Sequence, residues 1–221
     1  MPQKIVRAER ADGIRSRQTI LDAAAKLATV EGLAGLSIGG LAEHIGMSKS
    51  GLYAHFGSKE ELQLATVHTA GQLFEADVIE PTLSIENPLD RFRAVCESFL
   101  GYVESRVFPG GCFFVAAAAE FDTHPGPVQT RIAEFVAKWM AGLTELLTVA
   151  QERGLIDAEE DPAQLAFEID AWLIFANLNF VMSNSPEPLQ RARRAMNARL
   201  AQAQPAASKR ANKQTRRKPK A

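Results

Sequence analysis

With 221 residues, 46% of them apolar, 2 Tyr, 2 Trp and alanine-rich segments throughout, the chain has the composition of a helical protein able to bury a sizeable core in two modest domains. Its two cysteines, Cys96 and Cys112, have no CxxC partner and no His at ligand spacing, which excludes a disulfide framework and a metal set and leaves reduced cytoplasmic thiols as the expectation. The net charge of -1 hides a segregation: residues 1–59 hold 8 Lys or Arg against 5 Asp or Glu, residues 60–187 hold 6 against 21, and residues 188–221 hold 11 against none.

Residues 1–15 read as a flexible N-terminal arm. Ser16 or Thr19 stands near the start of a helix carrying Ile20, Leu21, Ala24, Leu27 and Ala28, which ends near Glu31 and Gly32. Ser37 caps the next helix, whose apolar face is Ile38, Leu41, Ala42 and Ile45, and Gly46 supplies the reversal that follows. A third helix starts at once from Ser48. Its Leu52 and Phe56, four apart, point inward and leave Lys49, Ser50, Tyr53 and His55 on or near the exposed side. Two short helices joined by a tight turn are the layout of a helix-turn-helix, which places its second helix in a DNA major groove. Gly57 breaks that helix. Ser58 with Glu61 then forms a capping box that opens a fourth, and Lys59 in its first turn opposes the helix dipole unless an anion such as a phosphate sits there.

Beyond this head, proline and glycine punctuate an all-helical pattern with no strand-like alternation. A linker helix runs from Ser58 to about Ile79 and breaks before Pro81; a helix from Pro88 carries Phe92, Val95, Phe99 and Tyr102 to about Val107. Cys112 to Phe121 is a short, almost wholly apolar helix of the kind buried on every side. Pro127 to about Arg153 carries a stripe of Ile132, Phe135, Val136, Trp139, Leu143, Leu146 and Leu147, and Glu187 to about Gln202 is a last, basic helix. Between them Ala163 to Met182 is apolar around most of its circumference. One face can fill a core while a second, with Phe167, Leu178 and Val181, meets a partner copy; the alternative is the central helix of a monomer.

Over Ile20 to Leu62 the segments ILDAAAKLATVEGLAGLSIGGLAEHIGMS and KSGLYAHFGSKEEL resemble the DNA-binding domain of the TetR family of bacterial transcriptional regulators. The resemblance implies an all-α fold with an N-terminal three-helix helix-turn-helix domain over 16–62, followed by a larger helical domain over 63–203 that binds a small-molecule effector and forms a homodimer. It implies DNA contacts from Ser37, Lys49, Tyr53, His55 and Lys59, with Ser48 at the head of the recognition helix and Ser50 beside it. The chain departs from the family pattern at Ala54, where a second aromatic is common, and at Gly39 and Gly40, where a charged pair is common. Each glycine weakens its helix by up to about 1 kcal/mol relative to alanine.

The remaining candidates carry a bland reading beside the functional one. Phe92, Cys96, Phe99, Tyr102, Phe113, Phe114, Trp139, Trp172, Phe175 and Asn177 combine aromatic walls with a few polar groups, the makeup of an apolar small-molecule cavity, and each aromatic alone reads equally as core. Asn177 and Asn179 need partners, which a ligand or a dimer seam supplies. Cys112, flanked by Gly111 and Phe113, reads as a buried inert thiol. Glu120, Asp122 and His124 lie at a helix end with no further ligand spaced to join them, so neither a metal nor a catalytic pair is expected there. His44, His68 and His124 read as surface residues.

No nucleophile with a base, glycine-rich phosphate loop or metal set points to an enzyme or a cofactor. No secretory leader or membrane span is expected, Cys112 to Ala119 being too short to cross a bilayer. The segment 204–221 is basic and without apolar periodicity, which reads as a disordered tail with weak attraction for DNA. The sequence thus points to a ligand-responsive regulator, a repressor if the resemblance holds, on a palindromic operator. The alternative is an architectural, nonspecific DNA binder that needs no effector.

Overall fold

The computed structural model describes the backbone of residues 2–205 and the side chains from Arg17 on; the basic tail lies, past Pro205, outside them. Among the described residues the fold is all helix: α1 (Pro2–Glu31), α2 (Ile38–Ile45), α3 (Lys49–Phe56), α4 (Lys59–Phe74), α5 (Pro88–Glu104), α6 (Phe113–Phe121), α7 (Pro127–Glu152), α8 (Pro162–Ser183) and α9 (Glu187–Ala203). Helix α1 starts well before Ser16, so residues 2–15, expected as an arm, are the first turns of the helix. The stretch is mostly Lys, Arg, Glu, Gln and Ala, its one glycine is Gly13, and proline at a helix start lacks only an N–H that would have no partner anyway.

Serine caps begin the next three helices. Ser37 Oγ accepts from Gly40 N at 3.1 Å, Ser48 Oγ from Gly51 N at 3.2 Å, and Ser58 Oγ from Glu61 N at 3.1 Å. The expected capping box at Ser58 is only half formed, because the backbone N–H of Ser58 donates to the Phe56 carbonyl at 2.7 Å. Gly46, at φ +69°, takes the left-handed conformation that ends α2, as read from the sequence. After Phe74 the chain does not stay α-helical to Ile79. Glu75–Ile79 is a π-helical turn and Glu80–Thr82, with Pro81, a 3-10 turn.

The chain packs as two units. The first comprises the residues up to Glu75 together with Arg106–Val136, so α4, α6 and the start of α7 go with the N-terminal helices. Its core contains Ile20, Leu21, Ala24, Leu41, Leu52, Phe56 and Leu62. Phe74 meets Phe114 and Phe135 edge-on at ring separations of 6.3 and 5.1 Å. Gly110 lies against α1, where a Cβ would fall 1.8 Å from the Thr29 carbonyl, so no other residue fits without moving the backbone. The expectation that α6 is buried on every side is corrected. Phe113, Phe114, Ala117 and Phe121 are buried, but Ala119 is exposed and Val115, Ala116, Ala118 and Glu120 are half-buried, Glu120 having its carboxylate on the backbone between α1 and α2.

The second unit, Ala76–Ser105 with the residues from Ala137 on, packs α5, the later turns of α7, α8 and α9. Phe92, Cys96, Phe99, Leu143, Leu147, Leu165, Ile169, Leu173, Met196 and Leu200 form its core. Two arginines of α9 tie it to neighbouring elements. Arg199 bonds Glu160 at 2.7 Å and Glu168 at 2.8 Å, and Arg193 bonds Glu97 at 2.8 Å and Glu104 at 2.9 Å. Helix α8 is long and apolar enough to cross a membrane by composition, yet Asp170 and Asn177 lie buried on the face it turns to this core, as befits a core helix.

Candidate nucleic-acid interface

On α3 the side chains divide by face. Leu52 and Phe56 are buried against the first unit, whereas Lys49, Ser50 and Tyr53 stand in solvent, Tyr53 with 56% of its surface exposed. An aromatic left that open costs about 2 kcal/mol of forgone burial. Its hydroxyl, at the end of an exposed ring, is free to reach a phosphate. His55 is half-buried, its ring tilted against Phe56 at 6.1 Å, so it is the least accessible of the expected contact residues.

Ser37 and Ser48 are exposed, and each hydroxyl oxygen accepts a capping hydrogen bond. A serine that accepts through oxygen still has its own proton to donate. Ser48 and Ser50 hydroxyls lie 3.4 Å apart. The glycine departures have a local account. A Cβ on Gly39 would meet the Lys49 side chain at an ordinary 3.5 Å, whereas one on Gly40 would press Ser37 Oγ at 3.2 Å, so only at Gly40 would a larger side chain crowd the cap of α2.

Lys59 does not extend freely from the start of α4. Its ammonium donates to the Ala34 carbonyl in the turn after α1, which offsets its misplacement on the helix dipole and leaves two of its three N–H groups for another acceptor. Arg17 was not legible as a candidate. Its guanidinium lies 4.9 Å from the centre of the Phe56 ring, adding an exposed cation beside the end of α3. The two residues are 39 apart, and no spacing rule joins them.

The ten effector candidates separate. Phe92, Cys96, Phe99, Tyr102 and Asn177 are buried in the second unit, and Phe113 and Phe114 are buried in the first. Trp139 is half-buried, lies 6.0 Å from Phe99 between ring centres, and donates its indole N–H to Asp170 at 2.8 Å. Burial pushes the Asp170 carboxyl above the ordinary aspartate range, and the indole bond restores only part of this. The Cys96 thiol is pushed far up by its own burial and then by the Asp170 charge, so it is no nucleophile. Trp172 and Phe175 line a partly open cavity of about 440 Å³ between α8 and α9, with Asn179, Ser183, Glu187 and Arg191 supplying its polar rim. Arg191 and Asp170 were missed from sequence, since one reads as a surface charge and the other as a lone acid in an apolar helix.

Phe167 and Leu178 are exposed and Val181 half-buried, and with them Ile174, Phe175 and Met182 form an open apolar face on α8. Among the described residues no group of three His, Cys, Asp or Glu is placed to hold a metal ion.

A capped α2, a glycine reversal and a second capped helix with a basic, hydroxyl-bearing outer face define a helix-turn-helix DNA-binding protein. Residues 20–66 match the family described as bacterial regulatory proteins, tetR family, and residues 88–196 match the tetracyclin repressor-like C-terminal domain. The chain belongs to the TetR family and is a DNA-binding regulator of transcription. Among solved structures it is similar to a TetR transcriptional regulator from Chloroflexus aurantiacus J-10-FL, at 26% identity over 87% of this chain and 97% of that one, with a TM-score of 0.80. It is also similar to AibR, solved in complex with isovaleryl coenzyme A and operator DNA, at 26% identity over 81% and 95% of the two chains and a TM-score of 0.64. The regulator SCO4454 from Streptomyces coelicolor, 22% identical over 93% and 96%, shares the fold at a TM-score of 0.74. None of the curated proteins compared with the chain matches it.

Proposed function

We propose that the chain is a repressor that binds an inverted-repeat operator as a homodimer and is released by a small, largely apolar effector. The observation that carries this is the outer face of α3. Lys49, Ser50 and Tyr53 are presented on a helix whose opposite face, Leu52 and Phe56, is fixed in a core, so the contacting groups are held in register. Lys49, Tyr53, Lys59, Ser37 and Ser48 position the protein on phosphates, Ser50 stands nearest the role of reading bases, and the half-buried His55 faces the phosphates or solvent.

A lone helix-turn-helix holds DNA weakly, and the open face of α8 supplies the means of pairing. Phe167, Ile174, Phe175, Leu178 and Met182 would otherwise remain in water, Met182 with 78% of its surface exposed. The cavity beside α8, with Trp172 and Phe175 as apolar wall and Asn179 and Arg191 as polar groups, has the character of an effector site. AibR, crystallised with both an acyl coenzyme A and operator DNA, is a precedent for one such chain serving two ligands. An effector that prefers a state with a tilted α4 would change the spacing of the recognition helices, and a preference of a few kcal/mol suffices to empty the operator. The protein then acts in the cytoplasm.

Selection of bound fragments from random DNA tests the reading. Recovery of one inverted repeat, with half-sites about one helical turn apart, is the expected result. Recovery of fragments with no shared sequence would contradict it and favour a nonspecific binder.

A further inference from the structure

Between α1 and α2 the chain turns through Leu33 and Ala34, and every polar group of these two peptides is held by a side chain from elsewhere in the first unit. The N–H of Leu33 donates to Glu120 Oε2 at 2.7 Å and the N–H of Ala34 to Glu120 Oε1 at 2.9 Å, so one carboxylate of α6 clasps two successive amides 86 and 87 residues away. The carbonyls are taken by α4. Gln63 Nε2 donates to the Leu33 oxygen at 2.7 Å in a buried bond, and Lys59 donates to the Ala34 oxygen. Gly32, at φ +85°, makes room for the carboxylate: a Cβ there would fall 2.7 Å from Glu120 Oε1. Ser37, the cap of α2, follows three residues after Ala34.

We propose that Glu120 is a positioning residue for DNA binding. Through the Leu33–Ala34 turn it fixes the entry of α2, and with it the set of α3, from α6, while Gln63 and Lys59 fix the same turn from α4. Two helices outside the helix-turn-helix therefore act on one two-residue lever. A displacement of α6 is transmitted to α2 without passing through α4, and by reciprocity an operator that fixes α2 and α3 restrains α6. Charge-assisted bonds from one rigid carboxylate to two adjacent amides suit this task, because they fix direction as well as distance. The inference rests on the proposed operator binding.

The test uses the full chain as wild type, Glu120→Gln and Glu120→Ala, and measures operator affinity, the melting midpoint, and amide exchange with and without operator. Glu120→Ala should bind the operator about tenfold more weakly while remaining folded, the loss expected when charge-assisted bonds that orient a helix are removed. Glu120→Gln keeps one oxygen for one of the two amides and should fall between the two. In the wild type, operator should slow exchange at Leu33, Ala34 and along α6. Wild-type affinity in Glu120→Ala, or a loss in both variants accounted for wholly by their melting, would overturn the proposal. Should Glu120→Ala fail to fold, Glu120→Gln with unchanged affinity, or α6 exchange unaffected by operator, overturns it instead. A wild type that selects no operator would refute the proposed function, a result distinct from any of these, while exchange at Leu33 and Ala34 in the free proteins would still report whether the clasp forms.

Discussion

Asp170 is the residue whose chemistry is least at ease with its surroundings. Buried, with the Trp139 indole N–H at 2.8 Å, its carboxyl is harder to ionise in the folded chain than in the unfolded one. Its contribution to stability is therefore full below the ordinary aspartate pKa, about 3.9, and is lost as pH rises through the raised folded value. Asp170→Asn keeps an oxygen for the indole and removes the charge. Denaturant unfolding across pH 3 to 8 should show the variant gaining on the wild type as pH rises; a variant that falls behind would contradict the account. Lys49 poses the complementary case of an exposed cation at the head of α3. Lys49→Ala should weaken binding to operator and to random DNA by similar factors and lower the salt slope by about one ion, read from titrations at several salt concentrations. Loss of operator preference with random-DNA affinity intact would assign Lys49 to base reading. The caps at Ser37, Ser48 and Ser58 were legible in the sequence because a cap oxygen and the backbone N–H that donates to it lie three residues apart. The clasp of Glu120 on Leu33 and the bond from Trp139 to Asp170 were not, because each joins residues far apart in sequence.

Among the elements, α8 has two apolar faces with different fates. Leu165, Ile169, Leu173, Ala176 and Phe180 are buried in the second unit, while Phe167, Ile174, Phe175, Leu178 and Met182 lie open. The sequence read Trp172 and Phe175 as cavity wall, core or partner-covered surface, and truncation to alanine costs about 3 to 5 kcal/mol where such an aromatic is buried. Phe175, with 66% of its surface exposed, is instead a small loss to the single chain. Phe175→Ala should accordingly leave the far-ultraviolet helix signal unchanged and weaken self-association, seen as a shift of the sedimentation profile to higher protein concentration. A variant that unfolds, or one that associates as tightly as the wild type, would refute the placement of Phe175 on a dimer face. Helix limits from α5 to α9 were readable to within three residues because Pro88, Pro127, Pro162 and Pro188 and the glycines between them punctuate the chain. The start of α1 was not readable, since Gly13 alone does not end a helix rich in good helix formers. Nor was the π turn after Phe74, which adds a residue to the helical turn without any marker in composition.

At the scale of the whole molecule, charge is segregated along the chain. The 60–187 segment, with 21 acids against 6 bases, is repelled by phosphate, and the helix-turn-helix belongs to the basic N-terminal part. Family membership and fold follow from the 20–66 and 88–196 matches, and the finer reading of a dimeric, effector-released repressor rests on the outer faces of α3 and α8 and the cavity beside α8. The central claim is sequence-specific DNA binding. It is tested most directly by titrating the purified chain, at physiological salt, against the selected inverted repeat and against random DNA of the same length, with stoichiometry measured on the former. The account predicts two protomers per site and an affinity at least about 1000-fold above that for random DNA. Near-equal affinity for the two would contradict it.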